Sequence, residues 1–313
     1  MHNLNCKWNV NMNDEFRILL NEWLNSLLIE NYSGNSIIAY RTDIGKYLDY
    51  FDSIELPIRD IEISDMRYYV THLSEKLGLS QTSIKRQIST VKTFMKWLIQ
   101  HNHVESTPSD FIKMKRVPRR LPFITSEEDM AILLDQPDPK LESEIWLWKR
   151  DKAMFEILYS SGLRVSELIN LKLNDVNTST HMVRVIAGKG NRDRNIPLGS
   201  KACEAIKVWL SYRIKKNPES DFLFINHYGR PIQTRQVRNR INVQAARCGI
   251  KEHMHPHLFR HCFATHLLSA SQDIRAVQEM LGHADINSTE IYTHVDFNSL
   301  AKAYDAAHPR SKK

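Results

Sequence analysis

Near the C-terminus, four side chains suited to chemistry on a phosphate fall within one stretch: His257, Arg260, His283 and Tyr292. A guanidinium grips an anion through paired N–H donors. An imidazole bonds to an anionic oxygen or moves a proton at neutral pH, and a phenol becomes a nucleophile once its proton is removed. Helices must position them. His257, Arg260, Phe263 and Leu267 recur at spacings of three and four and so share roughly one helical face. Ile274, Val277 and Leu281 repeat that rhythm up to Gly282, which stands where a left-handed cap would end a helix. Asn287, with Glu290 three residues on, resembles a capping box opening a third, short helix that carries Tyr292.

Taken singly, each further candidate has a plain structural explanation. Arg164, followed by Glu167, sits at a helix start after Tyr159-Ser160-Ser161-Gly162-Leu163, where an arginine is more often structural than catalytic. Lys189 lies in the turn Gly188-Lys189-Gly190-Asn191 between a β-branched, apolar run and a candidate return strand, and a lysine at a hairpin tip is usually just solvated. Tyr292 is one of 11 tyrosines, most of which belong in cores, and Tyr304 is a competing phenol. His257 and His261 have the i, i+4 spacing that can chelate zinc. The chain has no His-Glu-x-x-His and no Cys-x-x-Cys, and Arg260 between the two histidines would repel a cation, so neither metal nor cofactor is expected.

The elements around these residues are mostly helical. Phe16, Leu19, Leu20, Trp23, Leu24, Leu27 and Leu28 form one apolar stripe, and Ile37, Tyr40, Ile44, Tyr47, Leu48 and Phe51 form a second after a turn at Tyr32-Ser33-Gly34-Asn35. Met66, Tyr69, Val70, Leu73 and Leu77 form a third. Ser80 is placed to cap a fourth helix with Ile84, Ile88, Val91, Met95 and Leu98 inside. The other side of that helix carries Arg86, Thr90, Lys85, Lys92 and Lys96, which reads as a solvated face or as a surface for a DNA backbone. From 105 to 122 the periodicity lapses into a proline-punctuated basic stretch with Arg119 and Arg120, the pattern of an extended linker. The expected organisation is a loose lead over 1–13, a helical domain over 14–104, the linker over 105–122, and a second domain over 123–313. In that second domain Thr125 and Glu128 form a capping box, helices follow over about 144–161, 201–216 and 234–248, and two strands cover 182–187 and 194–198. The helix over 234–248 bears Arg235, Arg238 and Arg240.

The chain has 313 residues, enough for two cores, and its net charge of +7 suits a polyanionic partner without requiring one. Four separated cysteines speak against a disulfide framework, and no apolar run is long enough to span a bilayer. A cytoplasmic protein without membrane partners is expected.

Together, His257-Leu258-Phe259-Arg260, Leu281-Gly282-His283, Ile291-Tyr292-Thr293-His294 and the segment around Arg164 resemble the signature of the tyrosine recombinase (phage integrase) family. The tail Tyr304-Asp305-Ala306-Ala307-His308-Pro309-Arg310 resembles the XerC branch of the Xer recombinases. The resemblance implies an N-terminal four-helix SAM-like DNA-binding domain and a mixed α/β catalytic domain with a small antiparallel sheet. It implies that Tyr292 is the nucleophile, that Arg164, Arg260 and His283 hold the scissile phosphate, and that His257 takes the phenolic proton. Lys189 would serve as general acid, and Glu167 would orient Arg164. The implied activity is site-specific recombination of double-stranded DNA through a 3′-phosphotyrosine, at dif-like sites, in resolving chromosome or plasmid dimers. Lys85, Arg86, Lys92, Lys96, Arg119, Arg120, Arg235 and Arg238 would contact DNA. The implied assembly is a tetramer with a related XerD-like recombinase, with a DNA translocase as a further partner and the last helix docking on a neighbouring protomer through Phe297, Leu300 and Tyr304. The alternatives are a type IB topoisomerase-like strand transferase and a non-catalytic DNA-binding regulator. Two departures from the common pattern stand out: Leu258-Phe259 where many relatives carry Lys-Leu, and Cys262 in place of Ser.

Overall fold

The structure, a computed structural model, describes residues 13–112, 125–186, 193–216, 220–271, 277, 280, 281, 304 and 308–311. It divides into two compact units, Met1–Arg120 and Leu121–Lys313.

In the first unit the expected stripes fold as α1 (Asp14–Ile29), α2 (Gly34–Ser53), α3 (Ile63–Thr71) and α4 (Gln81–Gln100). Trp23, Tyr47, Leu48, Phe51, Met66, Phe94 and Leu98 are buried at their centre. Each large apolar side chain so removed from water contributes about 1.5–3 kcal/mol. Ser80 caps α4 by accepting the Ser83 N–H at 3.2 Å. Ser33 does the same for α2, so the expected turn over 32–35 is already the start of that helix. After α3 the chain widens into a π turn, His72–Lys76, with the Leu77 N–H donating to the His72 carbonyl at 3.1 Å. The extra residue rotates the chain, so Leu73 is buried while Leu77, expected inside, is exposed.

Part of the basic side of α4 is turned to internal work. Asp43 of α2 is buried, a position that a carboxylate holds only with partners. Arg86 forms a two-pronged ion pair with it, and Thr90 donates to it at 3.1 Å. Lys92 donates to the carbonyls of Asp110 and Ile112 at 3.4 and 3.2 Å. Lys85 and Lys96 are exposed.

The second unit is organised around α6 (Glu142–Ser161), preceded by α5 (Glu127–Leu134). The cap of α5 is Ser126, which accepts the Asp129 N–H at 3.1 Å; the expected cap, Thr125, is buried one residue earlier. From Ala153 to Ser161 every residue of α6 is buried, so this half of the helix has no solvent face. α8 (Ser200–Arg213) and α10 (Pro256–Ser271) pack against it, and α9 (Thr234–Arg247) is tied to it by Arg240, which pairs with the buried Asp151. Between α7 (Val165–Asn170) and α8 lies an antiparallel sheet in the order β1 (Val176–Asn177), β2 (Met182–Val185), β3 (Arg194–Pro197). The two expected strands are β2 and β3, in register Val183 with Ile196 and Val185 with Arg194; the short β1 carried too little pattern to be foreseen. Val183, Val185 and Ile196 point into the core.

The described part of the tail packs on its own domain. Tyr304, His308 and Arg310 are buried; Arg310 pairs with the buried Glu156 at 2.7 Å and with Asp135 at 2.8 Å. Tyr304 stacks on His308, and its hydroxyl lies against Ser160 and Gly199. Phe297 and Leu300 lie outside the described residues.

Candidate active site

The site is assembled where α6 ends. Gly162 takes φ +61°, and its N–H donates to the Leu158 carbonyl at 3.1 Å, closing the helix in the left-handed conformation that glycine adopts without steric cost. No side chain would fit there: a Cβ on Gly162 would stand 2.4 Å from Cδ1 of Phe263, on α10. The tight turn brings Leu163 into the core and sets Arg164 at the head of α7. Glu167 secures that head. It accepts the Arg164 backbone N–H at 2.7 Å and the Arg164 Nη1 donor at 3.1 Å. The Arg164 side chain remains 37% exposed, so it can still reach a ligand.

Arg260 approaches from α10, one turn beyond His257. Its Nη1 donates to the Gly162 carbonyl and its Nη2 to the Leu281 carbonyl, both at 2.6 Å. Burial, together with the nearby charges of Arg164 and Arg194, lowers its pKa to about 10, against a partial offset from Glu167. The guanidinium is still protonated at neutral pH, but it is crowded by like charge and would gain from an anion.

Arg194 is the residue that pattern reading passed over. It opens β3, and its side chain is only 12% exposed. Nη2 reaches both oxygens of Glu167, at 3.1 and 3.0 Å, and Nε donates to the Met280 carbonyl at 3.1 Å. The one available signal was an arginine opening the second candidate strand, ahead of Ile196, Pro197 and Leu198, where the chain enters the core and a cation needs a partner. Three arginines around one carboxylate leave the cluster two charges positive.

His257 is exposed on the first turn of α10. Its ring centroid lies 6.4 Å from that of His255, which lies 5.8 Å from that of His253. His255 caps α10 by accepting the Leu258 N–H on Nδ1 at 3.1 Å. Burial first, and then His253, His257 and Arg238, lower the His255 pKa. Arg238 of α9 therefore lies near this end of the site; both it and Arg235 are exposed. His266 is buried and bonded to the Tyr159 hydroxyl at 2.9 Å, a structural role. Leu258 and Phe259 are core residues, and Cys262 is buried with its thiol on the Thr125 carbonyl, so neither departure from the common pattern faces the arginines. Among the described residues, no three of His, Cys, Asp or Glu come together as a metal site would require. Of the side chains singled out by sequence, Arg164, Glu167 and Arg260 are brought together here. Lys189, His283, Tyr292, Arg119 and Arg120 lie outside the described residues.

A helical unit followed by a helical catalytic unit with a three-stranded sheet, and an arginine cluster at the end of the central helix, define a class. Residues 125–299 match the phage integrase family, and residues 20–102 match the phage integrase N-terminal SAM-like domain. The chain belongs to the phage integrase family, the tyrosine recombinases, enzymes that cleave and rejoin DNA strands. It is 41% identical to the tyrosine recombinase XerC of Stutzerimonas stutzeri (strain A1501) over 282 residues, 90% of this chain and 92% of that protein. It is 42% identical to the tyrosine recombinase XerC of Haemophilus influenzae over 77% of this chain and 79% of that protein. Its fold is similar to that of the XerH recombinase in a post-cleavage complex with palindromic difH substrate (TM-score 0.66, 24% identity, 88% of this chain and 80% of that one). The Tn1549 transposon integrase in complex with transposon right end DNA is similar to the same degree (TM-score 0.68, 20% identity, 91% and 96%).

Proposed function

We propose that this recombinase exchanges strands between two dif-like sites on double-stranded DNA, as expected of an enzyme that resolves chromosome or plasmid dimers. The observation that carries the chemistry is the positive cluster of Arg164, Arg194 and Arg260, gathered from three elements around Glu167. Donors held in place before the reaction stabilise charge developing on non-bridging phosphate oxygens without reorganising. In this reading the Tyr292 oxygen attacks the scissile phosphorus and the bond from phosphorus to the 5′-oxygen breaks. The phenolic proton passes to His257, and Lys189 supplies a proton to the departing 5′-oxygen, which leaves as the 5′-hydroxyl. Arg164, Arg260 and His283 hold the non-bridging oxygens. The phosphotyrosine preserves one diester bond for another, so a partner strand's 5′-hydroxyl can rejoin it without ATP. No metal or cofactor enters these steps.

The XerC names of relatives that align over most of their own length support an Xer-type recombinase; a XerD-like partner in a tetramer and a DNA translocase as activator belong to the same proposal. The exposed Lys85, Lys96, Arg235 and Arg238 support backbone contacts to DNA.

The test uses a nicked suicide duplex bearing a site that the protein itself selects from a randomised duplex library. The unsubstituted protein should give a denaturation-resistant protein–DNA band, and Tyr292→Phe should bind the duplex equally yet give none. A band from the variant would move the nucleophile elsewhere; Tyr304, buried with its pKa raised well above the usual value, is poorly placed to take its part. Relaxation of supercoils without exchange between two sites would favour a topoisomerase-like transferase.

A further inference from the structure

We propose that Arg194 is a positioning residue for strand cleavage, acting through Glu167 to set where the Arg164 guanidinium points. The inference rests on the reading of Arg164 as part of the phosphate clamp.

A carboxylate with a single arginine partner tends to draw it into a two-bond fork, which would turn Arg164 inward. Here the two oxygens of Glu167 are already occupied. Oε1 accepts from Arg194 Nη2 at 3.1 Å and from Arg164 Nη1 at 3.1 Å; Oε2 accepts from Arg194 Nη2 at 3.0 Å and from the Arg164 backbone N–H at 2.7 Å. Arg164 therefore gives Glu167 one side-chain donor and keeps the rest of its guanidinium toward solvent. Arg194 also sets the charge balance. Without it, the cluster would carry one net positive charge rather than two, and Glu167 would lean on Arg164 alone.

The other end of Arg194 fixes a second part of the site. Its Nε holds the Met280 carbonyl, and the adjacent carbonyl, that of Leu281, is the one that holds Arg260 Nη2. One side chain thus ties the carboxylate that aims Arg164 to the backbone that seats Arg260. A lysine keeps the charge but cannot span both partners, because its ammonium is a single point at the end of a flexible stem.

The experiment measures single-turnover cleavage of the suicide duplex by full-length Arg194→Lys, Glu167→Gln and the double variant, with thermal midpoint and duplex affinity measured beside it. Arg194→Lys should cleave about 10²-fold more slowly, the scale expected for a clamp displaced by about 1 Å. Its affinity should match that of the unsubstituted protein, and cleavage is compared well below the thermal midpoint, which the loss of the Met280 and Glu167 bonds should itself lower. If Arg194 works through Glu167, the double variant should be slowed about 10²-fold and not about 10⁴-fold, since each change removes the same interaction. A substrate with sulfur at the 5′-bridging position should rescue Lys189→Ala but not Arg194→Lys. Unchanged cleavage by Arg194→Lys, multiplicative losses in the double variant, or rescue by sulfur would each overturn the proposal. So would parallel losses of stability and affinity, which would mark a structural residue. Arg164→Ala runs in the same series. If it cleaves at the unsubstituted rate, the clamp reading has failed; if it is slowed while Arg194→Lys cleaves normally, only the inference about Arg194 has failed.

Discussion

Replacing Gly162 with alanine strikes the turn that joins the buried end of α6 to Arg164, and its cost can be worked from the geometry. At φ +61° an alanine carries a left-handed penalty of roughly 1–2 kcal/mol. Its Cβ would lie 2.4 Å from Cδ1 and 2.9 Å from Cε1 of Phe263, and 3.1 Å from Cδ2 of Leu281. Phe263 is fully buried, so its ring cannot swing into solvent, and forced overpacking of this kind costs about 1–3 kcal/mol. The sum is about 2–5 kcal/mol, which in a unit of this size should lower the thermal midpoint by about 5–15 °C. Because the Gly162 carbonyl is also a seat of Arg260, a shift of about 1 Å there should slow cleavage about 10²-fold even at temperatures where the variant is folded. Circular dichroism melts and single-turnover cleavage read the two effects separately. Phe263→Leu in the same background should return the overpacking part but not the backbone part. The double variant should then be less destabilised than the two single losses combined. A Gly162→Ala protein that melts with the unsubstituted one, or strict additivity with Phe263→Leu, would refute the reasoning.

Three further outcomes follow from the same structure. If the exposed lysines and arginines contact many phosphates, duplex affinity should fall by about 10³-fold or more between about 50 and 200 mM salt, and a flat titration would contradict it. Lys189→Ala should cleave an all-oxygen duplex about 10²- to 10⁴-fold more slowly, yet cleave one with a 5′-bridging sulfur at nearly the unsubstituted rate; no rescue would make Lys189 an anchor for the phosphate. Burial lowers the His308 pKa to about 3, so the native state disfavours the protonated form that the unfolded chain adopts below about 6.5. That stability is fully present above about pH 6.5 and is lost progressively as pH falls toward 3. His308→Gln should flatten the pH dependence of the melting temperature across this window, and an unaltered dependence would assign it to other groups.

Much of the helical architecture was legible because it is written in local chemistry. Apolar residues every three or four positions mark the buried faces of α1, α2 and α4, and Ser80 and Gly162 punctuate helix ends through bonds made within a few residues. The β-branched, apolar run of β2 and the glycine-flanked turn after it likewise gave β2 and, as its return, β3. Arg164, Glu167 and Arg260 stood out by type and spacing, and the fold brings them together. What the sequence could not supply was the commitment of each charge. Arg86 looked like part of a basic face until α2 set the buried Asp43 against it. Arg194 looked like the start of a strand until β3 laid it across Glu167 and the Met280 carbonyl. Arg310 stood only as the end of a tail motif until it met Glu156, 154 positions earlier in the chain. Helix and strand periods are set by backbone geometry within a few residues, so a single sequence displays them. A buried charge is settled by whichever distant partner can offset its desolvation, and only the tertiary structure decides which residue that is.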